Sequence, residues 1–125
     1  MPKKTIISPN APKAIGPYSH AVEAGGFMFV SGMLGVDPAT GKLADGAEAQ
    51  AQRSLSNLRA VLTDCGLGME SVVKTTVFLT DMGNFAAVNA VYASAFPADC
   101  PARSCVAVAA LPLGALVEIE AVAAK

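Results

Sequence analysis

Apolar and polar residues follow two distinct periods along this chain. The arm of residues 1–17 is punctuated by Pro2, Pro9, Pro12 and Pro17 around a short Thr5-Ile6-Ile7 run, which predicts extended chain with one edge strand. Alternation over Tyr18–Ala24 predicts a strand, Gly25-Gly26 a hairpin turn, and Phe27–Ser31 a second strand ending at Ser31-Gly32. Asp37-Pro38-Ala39-Thr40-Gly41 is turn chemistry. From Gly46 to Cys65 the period becomes helical: Ala51, Leu55, Leu58, Leu62 and Cys65 recur at spacings of four and three, and Gly66 stands where a left-handed cap would close the helix. Ser71–Leu79 returns to strand formers. Asp81 can cap a second helix with Phe85, Val88, Val91, Tyr92 and Ala95 along one side, and Pro97 stops it. Pro101–Val108 and Leu116–Val122 predict two more strands, the first read as buried.

This order predicts an α+β sandwich, two helices lying on one face of a sheet. Two helices cover only that face. Yet Val106 and Val108 oppose Arg103, Cys105 and Ala107, and Leu116 and Val122 oppose Val117 and Ile119, so both sides of the last strands are apolar. The uncovered side is expected to meet another subunit.

Composition sharpens this. At 125 residues the chain suits one domain, residues 1–125, and 53% apolar residues with 15% charged exclude a disordered chain. The net charge of -1, with Lys and Arg scattered, gives no electrostatic case for nucleic acid. Cys65, Cys100 and Cys105 form no disulfide framework, and with His20 the only histidine no metal site is expected. No secretory pattern and no membrane-length apolar window are present, so the expected setting is the cytoplasm, with no membrane partner.

The candidate chemistry centres on Arg103, a permanent cation inside an apolar strand. It must reach water, pair with a protein carboxylate such as Glu118, or await a ligand anion, whose carboxylate its planar fork matches two bonds at a time. Glu118 and Glu120 share one strand face about 7 Å apart, a spacing open to acid/base work. Ser31-Gly32 reads as a turn or cap, Tyr18 as an aromatic whose hydroxyl needs a partner, and Asn89 as a polar mid-helix residue that hydrogen-bonds a loop or subunit. Cys105 reads as an inert thiol and His20 as a surface or interface residue on its strand.

Several segments together resemble the RidA family. They are Ala14-Ile15-Gly16-Pro17-Tyr18-Ser19, Val30-Ser31-Gly32, Val73–Leu79, Pro101-Ala102-Arg103-Ser104-Cys105-Val106, Leu111-Pro112 and Val117-Glu118-Ile119-Glu120-Ala121. The resemblance implies a chorismate-mutase-like fold assembled as a homotrimer with clefts between subunits. It also implies a hydrolase, an imine/enamine deaminase that turns 2-iminobutanoate and 2-iminopropanoate into 2-oxo acids and ammonia without cofactor or metal. Arg103 would hold the substrate carboxylate and Glu118 would orient or activate the attacking water. Tyr18, Ser31 and Gly32 would line the cleft, and the Cys105 backbone would hydrogen-bond the substrate, with Asn89 counted among the binding residues.

Met33 stands where many members carry Gln, the 97–100 segment is shorter, and Cys100 replaces an aromatic before Pro101. These departures leave open a deaminase of a larger imine or aminomuconate-like acid. A non-catalytic ligand-binding trimer is a further alternative. An endoribonuclease or translation inhibitor is disfavoured, because neither a basic stripe nor a histidine pair is present.

Overall fold

A computed structural model describes residues 2–125; Met1, where the predicted arm and domain begin, lies outside the described residues. The elements in chain order are β1 (Lys4–Ile6), β2 (Ala21–Ala24), β3 (Phe27–Leu34), α1 (Gly46–Asp64), β4 (Val72–Leu79), α2 (Phe85–Ala95), β5 (Ala102–Ala107) and β6 (Val117–Ala124). One sheet holds all six strands in the order β1-β2-β3-β6-β4-β5. Every pairing is antiparallel except β4 with β5, which α2 joins as a crossover. The mixed sheet with two helices on one side is the α+β arrangement that the alternating and helical periods predict.

Each element follows from local chemistry. Gly25 and Gly26 take φ of 59° and 82°, the left-handed pair that a tight hairpin needs. At the end of α1, Leu67 N–H donates to Leu62 O at 2.8 Å and Gly66 N–H to Thr63 O at 3.0 Å, a Schellman cap around the expected glycine. The inward face of α1 buries Ala51, Leu55, Leu58, Val61 and Leu62 against Val77, Leu79, Val117 and Ile119 of the central strands. Each of these Leu, Val and Ile side chains is worth about 1.5–3 kcal/mol on burial.

A polar stripe flanks the apolar one on α1. Ser54 Oγ donates to Met33 O at 2.6 Å, and Asn57 Nδ2 donates to Leu34 O at 3.0 Å and Val36 O at 2.9 Å. Gln50 donates to Ala44 O at 3.0 Å and accepts from Leu116 N–H at 2.8 Å. These buried side chains satisfy backbone groups where β3 leaves the ladder, which a burial pattern restricted to apolar residues overlooks.

Five expectations are corrected. The strand read over Tyr18–Ala24 begins only at Ala21, because Ser19 and His20 spend their carbonyls on Ser31. The second strand does not stop at Ser31-Gly32; it bulges there and resumes pairing with β6 at Met33, opposite Ile119. β5 is not buried but an edge strand, with Val106 at 42% exposure. His20, expected on its strand at the surface or at an interface, is 4% exposed within the chain itself and lies outside the strand. Phe85, grouped with the apolar side of the second helix, is 36% exposed; it begins α2 after a 3-10 turn (Met82–Asn84) that Asp81 caps through Gly83 N–H at 2.8 Å.

Candidate functional site

Arg103 lies on β5 in register with Thr75 of β4, which is buried against the helices. Its side chain therefore takes the helix-facing side and meets α2. There Nη1 donates to Asn89 Oδ1 at 2.7 Å, and Cζ stands 4.8 Å from the Tyr92 ring centroid and 5.7 Å from that of Phe85. Tyr92 is fixed in turn: its hydroxyl shares a 2.7 Å hydrogen bond with that of Thr75, and its ring centroid lies 4.8 Å from that of Phe96. All these partners are neutral. Among the described residues, the carboxylates within 4.0 Å of a basic side chain are Asp37, with Arg53, and Glu23, with Lys125. Arg103 is thus held in orientation with no protein counter-ion beside it, the condition that favours a ligand carboxylate.

Cys105 follows on the same side of β5, half-buried. Burial pushes its thiol up, and the opposing pull of Arg103 is smaller, so the group stays a neutral thiol as expected. Its backbone matters more. Val108 N–H donates to Leu79 O at 2.7 Å. Peptide groups alternate along a strand, so those of Ser104 and Val106 face β4, while the N–H and C=O of Arg103 and Cys105 point outward, past the sheet edge.

Tyr18, Ser31, Gly32 and Glu118 gather elsewhere, on the wall of a cavity of about 680 Å³ that also meets Glu120 and Leu113. Ser31 is engaged: its hydroxyl donates to Ser19 O at 2.6 Å and its N–H to His20 O at 2.9 Å. Gly32 sits in the bulge directly against the Glu118 side chain; a Cβ there would lie 2.6 Å from Glu118 Oε2, so any larger residue would displace that carboxylate. Burial, and secondarily the charge of Glu120, push the Glu118 carboxyl above the ordinary carboxylate range. Met33 is buried in the core beneath this cavity.

The predicted residues thus fall into two groups. Glu118 alternates with Val117 and Ile119, which face the helices, so it points to the opposite side of the sheet from Arg103. β4 also lies between β5 and β6. The alternative of a cross-strand Arg103–Glu118 ion pair is therefore overturned by topology and by side-chain alternation together. The aromatic cradle of Arg103 escaped the sequence reading, although Phe85, Asn89 and Tyr92 stand at spacings of four and three on α2 and so share a face. Among the described residues, no group of three or more His, Cys, Asp or Glu side chains could hold a metal ion. No helix is long and apolar enough to cross a membrane.

Fold and site together define an α+β protein carrying an arginine without a protein counter-ion on a sheet edge and a half-buried glutamate in a cleft. The family model described as Endoribonuclease L-PSP matches residues 8–125, and the chain belongs to this family, the RidA family. It is 48% identical to the 2-iminobutanoate/2-iminopropanoate deaminase of Salmonella typhimurium, with 98% of each chain covered, and 46% identical to that of Escherichia coli K12 at the same coverage. It is also similar in structure to RidA from the Antarctic bacterium Psychrobacter sp. PAMC 21119, with TM-score 0.95, 42% identity, and 98% of this chain and 99% of that one covered.

Proposed function

We propose that this protein is a 2-iminobutanoate/2-iminopropanoate deaminase, an enzyme that hydrolyses reactive imines of small amino acids to 2-oxo acids and ammonia. The observation that carries the reading is Arg103, charged, oriented by Asn89 and Tyr92, and without a protein carboxylate. Its fork would hold the substrate carboxylate bidentately while the outward Cys105 backbone hydrogen-bonds the same molecule. Glu118, ionised, would accept a proton from water as oxygen bonds to the imine carbon. The Glu118 carboxyl would return that proton to the nitrogen to complete the carbinolamine, then carry the hydroxyl proton to the same nitrogen, which leaves as ammonia as the C–N bond breaks and the C=O bond forms. Imines are already electrophilic, so positioning and one proton relay suffice.

Arg103 and Glu118 lie on opposite sides of one sheet, which supports a site shared between subunits. The helix-free face exposes Phe27 by 43%, Phe29 by 46% and Val106 by 42%, apolar surface suited to such contact. We infer a homotrimer with clefts between subunits; the number three rests on the family resemblance. The three free thiols support a reducing compartment, the cytoplasm, and residues 1–125 are proposed to act as one domain without nucleic-acid or membrane partners. The cavity, at about 680 Å³, also favours a second reading in which a larger imine or aminomuconate-like acid is the preferred substrate.

The test pairs Arg103→Ala with Glu118→Gln. Imines are generated in situ by a pyridoxal-phosphate enzyme, and release of pyruvate and 2-oxobutanoate is followed. Wild type should accelerate release and each variant alone should not. Subunits of the two variants refolded together in equal amounts should recover about a quarter of wild-type activity, the fraction of clefts that receive both intact residues in a cyclic assembly. A well-folded wild type without acceleration would sink the substrate assignment, and mixtures that stay inactive would sink the shared cleft.

A further inference from the structure

The only histidine of the chain is spent inside the fold. His20 Nδ1 lies 2.8 Å from the backbone N of Ser8, and Nε2 lies 2.8 Å from the carbonyl oxygen of Pro12. A backbone N–H only donates and a carbonyl only accepts. Nδ1 must therefore offer its lone pair and Nε2 must carry the proton, which fixes one neutral tautomer and leaves neither nitrogen free for acid/base chemistry.

What the ring ties together is the cavity wall. Residues 7–20 contain neither helix nor strand, yet Pro12, Lys13, Ile15 and Tyr18 of this arm line the cavity beside Glu118. The ring grips the arm at residues 8 and 12. The His20 backbone, by contrast, is fastened to the sheet, its carbonyl accepting from Ser31 N–H at 2.9 Å. Ser31 Oγ pins Ser19 O at 2.6 Å, but between that point and Pro12 only local bonds act: Tyr18 N–H reaches Gly16 O at 2.9 Å, and its hydroxyl accepts weakly from Ile15 N–H at 3.4 Å. At the near end, Ser8 Oγ donates to Asp64 in a part-buried bond, and Asn10 Nδ2 donates to the same carboxylate at 2.8 Å in an exposed one; both lie outside the cavity.

We propose that His20 is a positioning residue for the reaction: its neutral ring clamps residues 8–18 so that Tyr18 and Ile15 form a fixed wall of the substrate cleft. The inference rests on the deaminase reading for its consequence in activity, but the clamp itself is measurable without substrate. A glutamine offers the same acceptor and donor on one side chain, whereas phenylalanine keeps the ring and offers neither. This makes His20→Gln and His20→Phe the decisive pair.

Nitrogen-15 NMR of the single imidazole at neutral pH should report the Nε2–H tautomer. The Ser8 amide should stay protected from hydrogen exchange in His20→Gln and exchange at least tenfold faster in His20→Phe, while the Ser31 amide, bonded to the His20 backbone, and the amides of β4 and β6 keep their wild-type rates. Affinity for the stable product 2-oxobutanoate and kcat/KM for the imine should stay within about twofold of wild type in the Gln variant. They should fall at least tenfold in the Phe variant, with KM moving more than kcat. The Nδ1–H tautomer, or a Phe variant whose Ser8 amide remains protected, would overturn the clamp. A loosened arm with unchanged kcat/KM and affinity would overturn the positioning role. Should wild type lack deaminase activity, the deaminase reading fails by itself, and tautomer and exchange still decide the clamp.

Discussion

Gly32→Ala isolates the placement of one carboxylate. The new Cβ would stand 2.6 Å from Glu118 Oε2, 2.7 Å from its Cδ and 3.0 Å from its Cγ. Ordinary carbon contact begins near 3.5 Å, so the Glu118 head must retreat by roughly 0.5–1 Å. Gly32 does not have a positive φ, so alanine introduces no backbone strain and slightly lowers the entropy of the unfolded chain. The obstacle is the mobile end of a side chain rather than backbone, and the fold should absorb it with a Tm within about 3 °C of wild type. Catalysis should not absorb it. A misplacement of about 1 Å costs on the order of a hundredfold in rate, so kcat is expected to fall about tenfold to a hundredfold. The assay is imine hydrolysis at saturating substrate beside a thermal melt. In a Glu118→Ala background the added methyl meets no carboxylate, and Gly32→Ala should then cost nothing further. A Gly32→Ala enzyme at full rate, or additive losses in the double variant, would refute the steric account.

Four more outcomes follow from the geometry. Glu118 must be ionised to accept a proton from water, so the acid limb of the rate profile should follow its raised titration; Glu120→Gln removes the secondary cause and should shift that limb to lower pH, and an unmoved limb would count against the coupling. The same raised value means that the fold favours protonated Glu118: this contribution is complete below the unfolded-state value and is lost as pH rises through the folded-state one, so Glu118→Gln should raise Tm at neutral pH but not at pH 3. Asn89→Ala removes a charge-assisted bond worth about 1.5–3 kcal/mol and should lower kcat/KM about tenfold to a hundredfold, while Asn89→Asp, which supplies Arg103 with a permanent counter-ion, should do worse; an active Asp variant would contradict the anion-reading role. Tyr92→Phe strands the buried Thr75 hydroxyl at a cost of about 1–3 kcal/mol, and calorimetry should show Tm lower by about 5–10 °C.

The helices, strands and turns are readable from the chain because their signals are local. Gly25-Gly26, Gly66 and Asp81 punctuate the chain where backbone conformation or capping demands them, and the α1 spacing of Ala51, Leu55, Leu58 and Leu62 gives a core face that the structure buries. Arg103 and Glu118 were also legible as unusual charges in apolar strands, and the motifs around them pointed to the family. Tertiary structure alone decided what those charges meet. Strand order is a long-range choice: β6 enters between β3 and β4, so Arg103 and Glu118, plausible neighbours on paper, end on opposite sides of one sheet. The bulge at Ser31-Gly32 depends on the register with β6, and only that register brings Gly32 beneath the Glu118 carboxylate. His20 was misread for the same reason. Its burial comes from an arm that returns from Ser8 and Pro12 to saturate both ring nitrogens, a closure that no local period encodes.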